Sequence, residues 1–286
     1  MDSLVLCEPG QPGVQLGPKP VRSLRAATQC LHEVLPAAVL QRMEARAQQF
    51  GGHVVVAGGL VLAALSAAPQ PQSDVDLFLY GFPDAFAAAA AVMAMVNALC
   101  ITMLGLRPSW RILEHRFTGR ALTIVLSDGP LASGEATQRS YQFILRSFSS
   151  ACAILESFDL DCCKVLYEAG VFRGTVRWIW AMRSGYNLMY AWTSYRRAVK
   201  YSARGFGLLV PSAALRGAGA RWDREAAGVV DYNRFATIFH CGSVTPAMAM
   251  QLELVIAGVL QLNAQMSAAE WLGTSDYVYL GVSEVC

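Results

Sequence analysis

Residues 54–80 constrain the fold more than any other stretch of this chain. They read VVVAGGLVLAALSAAPQPQSDVDLFLY, with a diglycine after one β-rich run and an Asp-Val-Asp within a second. Burying a carboxylate costs free energy unless a partner compensates it. A chain that sets two carboxylates one residue apart in an apolar strand therefore needs cations or a proton to neutralise them.

The Asp-Val-Asp predicts a metal site. Residues i and i+2 of a strand lie on the same face, so Asp74 and Asp76 are expected side by side. Carboxylates that converge from a rigid strand are typical of Mg²⁺ or Mn²⁺ sites. Asp159 and Asp161, in a later run that we also predict to be a strand, are candidates for the third ligand of a two-metal site for phosphoryl or nucleotidyl transfer.

The diglycine predicts a phosphate contact. Gly58 and Gly59 end a predicted strand and open a predicted helix. Backbone N–H groups at such a turn can approach a phosphate, and a helix N-terminus favours an anion. Either motif is common by itself, but the succession of diglycine, short helix, Asp-x-Asp strand and later aspartate is more specific.

This succession resembles the DNA polymerase beta-like nucleotidyltransferase superfamily, and most closely the nucleotidyltransferase-like proteins of large DNA viruses, fungi and some bacteria. The matching segments lie within residues 50–211: Gly58-Gly59, 73–78 (SDVDLF), 144–146 (ILR), Phe158-Asp159 and 197–206 (RAVKYSARGF). The resemblance implies a metal-dependent enzyme that moves a nucleoside monophosphate from an NTP to a hydroxyl acceptor and releases pyrophosphate. It also implies an intracellular location, cytoplasmic or nuclear, or the host cytoplasm if the protein is viral.

The resemblance also implies roles for individual residues. Asp74, Asp76 and Asp159 would be catalytic metal ligands, with Asp161 as a further ligand candidate. The expected nucleotide contacts are Gly58, Gly59, Ser73, Arg146, Arg197, Lys200 and Arg204. One position departs from the superfamily: Leu60 follows the glycines, where a serine hydroxyl usually contacts a phosphate. The acceptor stays open between a protein side chain, an RNA end, a small molecule and another nucleotide.

Positive charge is concentrated in one part of the sequence. Residues 173–224 hold ten Arg or Lys and one Asp, a formal charge of +9 in a chain whose net charge is +2. Such asymmetry favours a phosphate-rich partner or substrate. The alternative is a solvated basic face, or basic side chains paired with acidic residues elsewhere.

The order of elements predicts an α+β fold, in which a mixed β-sheet nucleotidyltransferase core is flanked by helices and followed by a mainly helical C-terminal half. We expect an N-terminal arm and helix start at residues 1–35, the core at 36–170 and the helical domain at 171–286. Helices are predicted at 23–50 and 187–203. Strands are predicted at 100–106 (CITMLGL) and 158–167 (FDLDCCKVLY), among others.

Three further expectations concern location and mode of action. Residues 85–106 are uncharged and long enough to span a bilayer, but their alanine-rich first half favours a buried helix, so no span is expected. Eight cysteines without paired ligand spacing, and no visible secretory signal, favour a reducing compartment. The alternative to an enzyme is an inactive nucleotide- or nucleic-acid-binding or interaction module on the same fold, and membrane association is a weaker alternative.

Overall fold

The protein has the α+β fold that its sequence predicts. The computed structural model describes residues 4–7, 18–68, 74–118, 120–129, 137–188 and 193–211. The described residues form two compact units. Unit 1 contains the described residues within 1–28, 57–73 and 152–235, and unit 2 contains those within 29–56 and 74–151.

Strands and helices alternate along the described chain. The strands are β1 (Leu4–Cys7), β2 (His53–Ala57), β3 (Val75–Tyr80), β4 (Arg111–Thr118), β5 (Ala121–Ser127), β6 (Gln138–Phe148), β7 (Val165–Glu168), β8 (Val171–Gly174), β9 (Tyr186–Leu188) and β10 (Gly207–Pro211). The helices are α1 (Leu24–Val34), α2 (Ala37–Gln49), α3 (Gly59–Leu65), α4 (Ala85–Leu106), α5 (Ala151–Ser157), α6 (Val176–Ser184) and α7 (Tyr195–Ser202).

The single helix expected over residues 23–50 is two helices, α1 and α2. Pro36 lies between them as the N-cap of α2. Proline has no N–H and its ring clashes with the preceding helical turn, so the break belongs there. A second glycine pair, Gly51-Gly52, follows the end of α2. Gly51 has a φ of 80°, and a Cβ on Gly52 would clash with the Phe82 ring.

Unit 2 contains a mixed sheet in which β4, β5, β6, β3 and β2 lie in that order. β3 and β6 are parallel, with Asp76 opposite Gln142, whereas β4–β5 and β5–β6 are antiparallel. The buried face carries the core side chains Leu77, Tyr141 and Phe143, each with no solvent exposure. The sheet therefore holds the aspartate strand at a fixed register beside β6.

The helix α4 runs without interruption from Ala85 to Leu106, so the strand predicted for residues 100–106 is wrong. Asp84 caps its start by accepting a hydrogen bond from the N–H of Ala87 at 2.8 Å. The apolar run simply continues the buried helix, and packing overrides the β propensity of Ile101 and Thr102. Although α4 is long and apolar enough to cross a membrane, 83% of its most apolar window is buried within the protein, which is compatible with no span.

Unit 1 combines a hairpin, a small sheet and short helices. β7 and β8 pair antiparallel, while β10 lies between β1 (antiparallel) and β9 (parallel). Residues 4–7, predicted to be part of a loose arm, therefore form a strand. α7 begins only at Tyr195, and residues 187 and 188, predicted as helix, belong to the strand β9 (Tyr186–Leu188). The C-terminal helices predicted beyond residue 211 lie outside the described residues, and the three-domain division stays a prediction.

The predicted strand at residues 158–167 is wrong over most of its length. Phe158 to Leu160 are irregular, Asp161–Cys163 form a 3₁₀ turn, and only β7 is extended. The N–H groups of Cys163 and Lys164 donate to the carbonyls of Leu160 and Asp161 at 3.1 and 3.0 Å, which closes the turn. Asp159 and Asp161 therefore lie on a loop and a turn, and the period of two does not apply to them.

Candidate functional site

The Asp74/Asp76 pair lies at the start of β3 on the side of the strand away from the core. Asp74 is exposed and Asp76 is half-buried, whereas Val75 and Leu77 have no solvent exposure. This alternation confirms that the two carboxylates share one face. The two carboxylates are thus not sealed in the core of unit 2. Two carboxylates on one face at the start of a strand can hold a hard divalent cation.

The diglycine makes a strained turn from β2 into α3. Gly58 is the N-cap of α3 with φ 82° and ψ −135°, a conformation that a residue with a Cβ rarely adopts. Its N–H donates to the carbonyl of Val165 at 3.4 Å, and its own carbonyl accepts from the N–H of Leu62. Leu60, at the superfamily's serine position, is 5% exposed and packs into the core. Ser73 lies outside the described residues.

Asp159, expected as the third metal ligand, is held by three groups of its own unit. Its Oδ2 accepts from the N–H of Ser194 at 3.0 Å, and its backbone carbonyl accepts from the hydroxyl of Thr193 at 3.0 Å. Its Oδ1 lies 3.1 Å from Nη1 of Arg197, at ion-pair distance but without hydrogen-bond alignment. The 6% exposed carboxylate is therefore compensated by a cation and a backbone donor.

Asp161 is compensated in the same way by a different arginine. Its two oxygens face Nε and Nη2 of Arg177 at 3.2 and 3.4 Å, and its side chain has no solvent exposure. Lys164 lies nearby and donates from Nζ to the carbonyls of Leu155 and Glu156, both at 3.3 Å. Burial lowers the pKa of Lys164, although the negative charge of Asp161 opposes that shift.

Arg197 interacts with several groups of unit 1. Besides its ion pair with Asp159, its guanidinium lies 5.7 Å above the ring of Phe158, and its charge attracts the ionised sulfur of Cys163. Burial by itself would lower the pKa of Arg197, but the negative charges of Asp159 and Cys163 outweigh burial and raise it. Two residues expected in separate roles, a metal ligand and a phosphate contact, are therefore paired with each other.

The sulfur of Cys163 belongs to the same buried cluster. Burial by itself would raise the pKa of this thiol, but hydrogen bonds from Cys162 and Tyr201 and the charge of Arg197 lower it to about 7. Burial raises the pKa of Cys162 and that of Tyr201. Sequence reasoning gave neither cysteine a role, and the signal available for them was their unusual adjacency.

The remaining predicted nucleotide contacts have different environments. Arg146, on β6 of unit 2, lies 4.6 Å above the ring of Phe148, and burial lowers its pKa. In unit 1, Lys200 is exposed on α7, whereas Arg204 is 9% exposed and lies 4.9 Å above the ring of Tyr201. The roles of these residues toward a nucleotide stay predictions.

A metal ion bound to the described part of this protein would have few side-chain ligands. Within the described ranges, no group of three or more His, Cys, Asp or Glu side chains is placed to hold a metal ion. Mg²⁺ in proteins keeps several waters and is often bound by only one or two carboxylates together with substrate phosphates. The pair Asp74/Asp76 fits that mode, which requires the phosphates of a substrate.

Comparison with known proteins gives one family. The family model described as Gabija anti-defense 2 (Gad2) family protein matches residues 28–173, just over half of the 286 residues. No curated protein and no solved structure matches the chain. The matched range includes both Asp-x-Asp motifs, the diglycine and Arg146.

Proposed function

We propose that this chain, which belongs to the Gabija anti-defense 2 family, is a metal-dependent nucleotidyltransferase. It would move a nucleoside monophosphate from an NTP to a hydroxyl acceptor and release pyrophosphate. The observation that carries the proposal is the position of Asp74 and Asp76 at the start of β3, where Asp74 is exposed and Asp76 is half-buried, whereas Val75 and Leu77 have no solvent exposure.

The proposal assigns the divalent cation to Asp74 and Asp76. When bound, such a cation would neutralise charge on the triphosphate and on the leaving pyrophosphate. The pairing of β3 with β6 sets Asp76 opposite Gln142 before substrate arrives, and Asp74 directly precedes the strand, so less ordering remains for the binding step. The proposal does not use Asp159 or Asp161 as metal ligands, because each carboxylate already has an arginine partner. Their roles as further ligands stay predictions.

The family name suggests what the activity serves. It describes proteins directed against a defence called Gabija. We propose that nucleotidyl transfer is the means of that action, with the acceptor being a component of the defence or a nucleotide on which it depends. Incubation of the protein and each α-³²P-labelled NTP with lysate from cells that carry Gabija, and from cells that lack it, would identify the acceptor as the labelled species.

The test of the catalytic proposal is Asp76→Asn. The substitution keeps the shape of the side chain and removes the charge that would bind the cation. We expect transfer of label in Mg²⁺ to fall by about 10²-fold or more, as when a main charge-stabilising group is lost. Glu33→Gln, the same chemical change at an exposed position of α1, should leave transfer unchanged. Equal transfer by Asp76→Asn and the wild type would refute the proposal.

The non-catalytic alternative also has an observation in its favour. The N–H of Gly58 is occupied by Val165, and Leu60 packs into the core where a phosphate-binding serine would be expected. An inactive module that binds nucleotide, nucleic acid or protein is compatible with both facts. Nucleotide binding that is insensitive to EDTA and releases no pyrophosphate would select this alternative.

A further inference from the structure

Cys162 and Cys163 lie side by side in the 3₁₀ turn that precedes β7, and the proposed transferase activity does not use them. Their sulfur atoms are 4.0 Å apart, and neither residue has solvent exposure. The N–H of Cys162 donates to the side-chain oxygen of Asn187 at 2.8 Å, which anchors one end of the turn. Two thiols at this distance are within reach of each other after a local rearrangement.

Arg197 connects these thiols with the surface. It pairs with Asp159, and its charge lowers the pKa of the Cys163 thiol, yet 39% of its side chain is exposed. Tyr201, one helical turn further along α7, lowers that pKa as well. A small displacement of Arg197 would therefore admit a small molecule to Cys163 while the rest of α7 stays packed. Buried cysteines are usually inert, but a cationic neighbour makes a thiol reactive.

We propose that Cys162 and Cys163 form a reversible disulfide with each other and that its formation releases Arg197 from the cluster. The oxidant is hydrogen peroxide. The Cys163 sulfur attacks one peroxide oxygen, the O–O bond breaks, and the departing hydroxide takes the Cys163 proton and leaves as water, so that Cys163 becomes a sulfenic acid. The Cys162 sulfur then attacks the Cys163 sulfur and displaces hydroxide, which takes the Cys162 proton and leaves as a second water. The two sulfurs lose two electrons in total, and the peroxide gains them.

Geometry makes this disulfide easy to reduce. The sulfurs must approach from 4.0 Å to about 2.05 Å. Neighbouring Cα atoms are about 3.8 Å apart, below the separation usual for a disulfide, so the bond is strained. Strained disulfides have more oxidising potentials and are the labile ones. The strain acts on the two hydrogen bonds that close the turn, Cys163 N–H to Leu160 and Lys164 N–H to Asp161.

The same change weakens the hold on Arg197. A disulfide sulfur carries no negative charge, so oxidation removes the attraction between Arg197 and the ionised Cys163 sulfur. Oxidation leaves Asp159 as the remaining partner of Arg197 in this cluster. The N-terminal turn of α7 should then open more often. This inference stands independently of the transferase proposal, since none of its steps involves Asp74 or Asp76.

The test uses the full chain treated with hydrogen peroxide and then with a thiol-blocking reagent. Peptide mass mapping should show a peptide with Cys162 and Cys163 unblocked and two hydrogen atoms lost, and dithiothreitol should restore both thiols. Hydrogen exchange within α7 should become at least about threefold faster after oxidation. A disulfide that joins either residue to another cysteine, or oxidation of Cys163 to sulfinic acid without a linkage, would overturn the proposal.

Variants separate the chemistry from the fold. Cys162→Ser should stop the reaction at the sulfenic acid, which dimedone would label on Cys163. Arg197→Gln should slow disulfide formation about tenfold or more, because the guanidinium that favours a reactive sulfur is lost. Cys152→Ser, at the exposed cysteine of α5, should react like the wild type. If Arg197→Gln reacts as fast as the wild type, or if dimedone labels Cys152 instead, the assignment to this cluster is wrong.

Discussion

The two buried carboxylates of unit 1, Asp159 and Asp161, determine the positions of two arginines. Asp159 and Asp161 are two positions apart, yet they bind different arginines, Arg197 and Arg177. The 3₁₀ turn sends the two side chains in different directions, which a strand would not do. Each ion pair leaves its arginine partly exposed, so the desolvation cost falls mainly on the carboxylate. Removal of one partner from such a pair costs more than the pair itself contributes.

Asp161→Asn should therefore destabilise the protein clearly. The substitution leaves Arg177 beside a neutral group and weakens a two-point contact to a fully buried carboxylate. We expect a loss of about 2–3 kcal/mol in the free energy of unfolding, discounted from the buried-pair range because Arg177 is 43% exposed. Glu114→Gln is the matched control, since its pair with Arg116 is exposed on both sides and should change stability by less than about 0.5 kcal/mol. If urea titrations show that Asp161→Asn and Glu114→Gln lose the same free energy of unfolding, this account of the buried ion pair is wrong.

The Cys163 thiol should make stability depend on pH. Its pKa is about 7 in the folded protein, against 9.0 for an unperturbed cysteine. Between about pH 7 and pH 9.0 the Cys163 thiol is protonated in the unfolded chain and ionised in the folded protein, so the free energy of unfolding rises with pH. The full contribution is present above pH 9.0, and it is lost as the pH falls through about 7. The gain should be about 1–3 kcal/mol. Urea unfolding at pH 6.5 and 8.8 should show it in the wild type and in Cys152→Ser, whereas Cys163→Ser should show little change.

At the scale of elements, the pattern of apolar residues predicted the strands that have a buried face. It failed where a proline or tertiary contacts set the boundaries of an element. β2, β3, β5 and β6 were predictable because their apolar runs end in glycine or polar residues. α1 and α2 were merged because the pattern of apolar residues continues past Pro36, although the proline itself is a readable break. The stretch at 158–167 reads as a strand by composition, and only tertiary partners such as Arg177 and Ser194 select the turn.

The candidate site was predictable to the same extent. The shared face of Asp74 and Asp76 follows from the period of two and from nothing else. The environment of Asp159 was not predictable, because its partners Thr193, Ser194 and Arg197 lie more than thirty residues later. A single sequence contains no signal for contacts of that separation. The basic residues of α7 were correctly marked as unusual, but their pairing required the fold.

α4 offers a prediction at the scale of one helix. Met95 has no solvent exposure, whereas Phe86 on the same helix is 61% exposed. If α4 is a core helix of a folded domain, Met95→Ala should lower the free energy of unfolding by about 2–5 kcal/mol through lost contacts and a cavity. Phe86→Ala should cost less than about 1 kcal/mol, because little area is lost to solvent. Thermal unfolding in detergent-free buffer measures both; similar losses, or a protein that requires detergent, would contradict the core assignment.

At the scale of the whole molecule, the concentration of positive charge has a partly internal cause. Seven basic residues of the range 173–224 lie in the described part of the chain, and three of them pair with carboxylates from the preceding segment. Those pairs are Arg173–Glu168, Arg177–Asp161 and Arg197–Asp159. The acidic residues that balance the charge thus stand just before residue 173. The charge asymmetry by itself is accordingly weaker support for a phosphate-rich partner than the sequence suggests.

Nucleotide binding by the intact chain is the broadest consequence of the proposed function. If Asp74 and Asp76 hold a cation that also contacts substrate phosphates, neither cation nor nucleotide binds well without the other. Stabilisation by a ligand follows RT ln(1 + [L]/Kd), about 2.7 kcal/mol at a hundredfold excess over Kd. One NTP with Mg²⁺ should therefore raise Tm by several degrees, while the same NTP with EDTA should not. Asp76→Asn should lose this shift and Glu33→Gln should retain it. A shift that survives EDTA and the loss of Asp76 would mean that nucleotide binds without the carboxylate pair, and a chain that no NTP stabilises would remove the basis for a transferase.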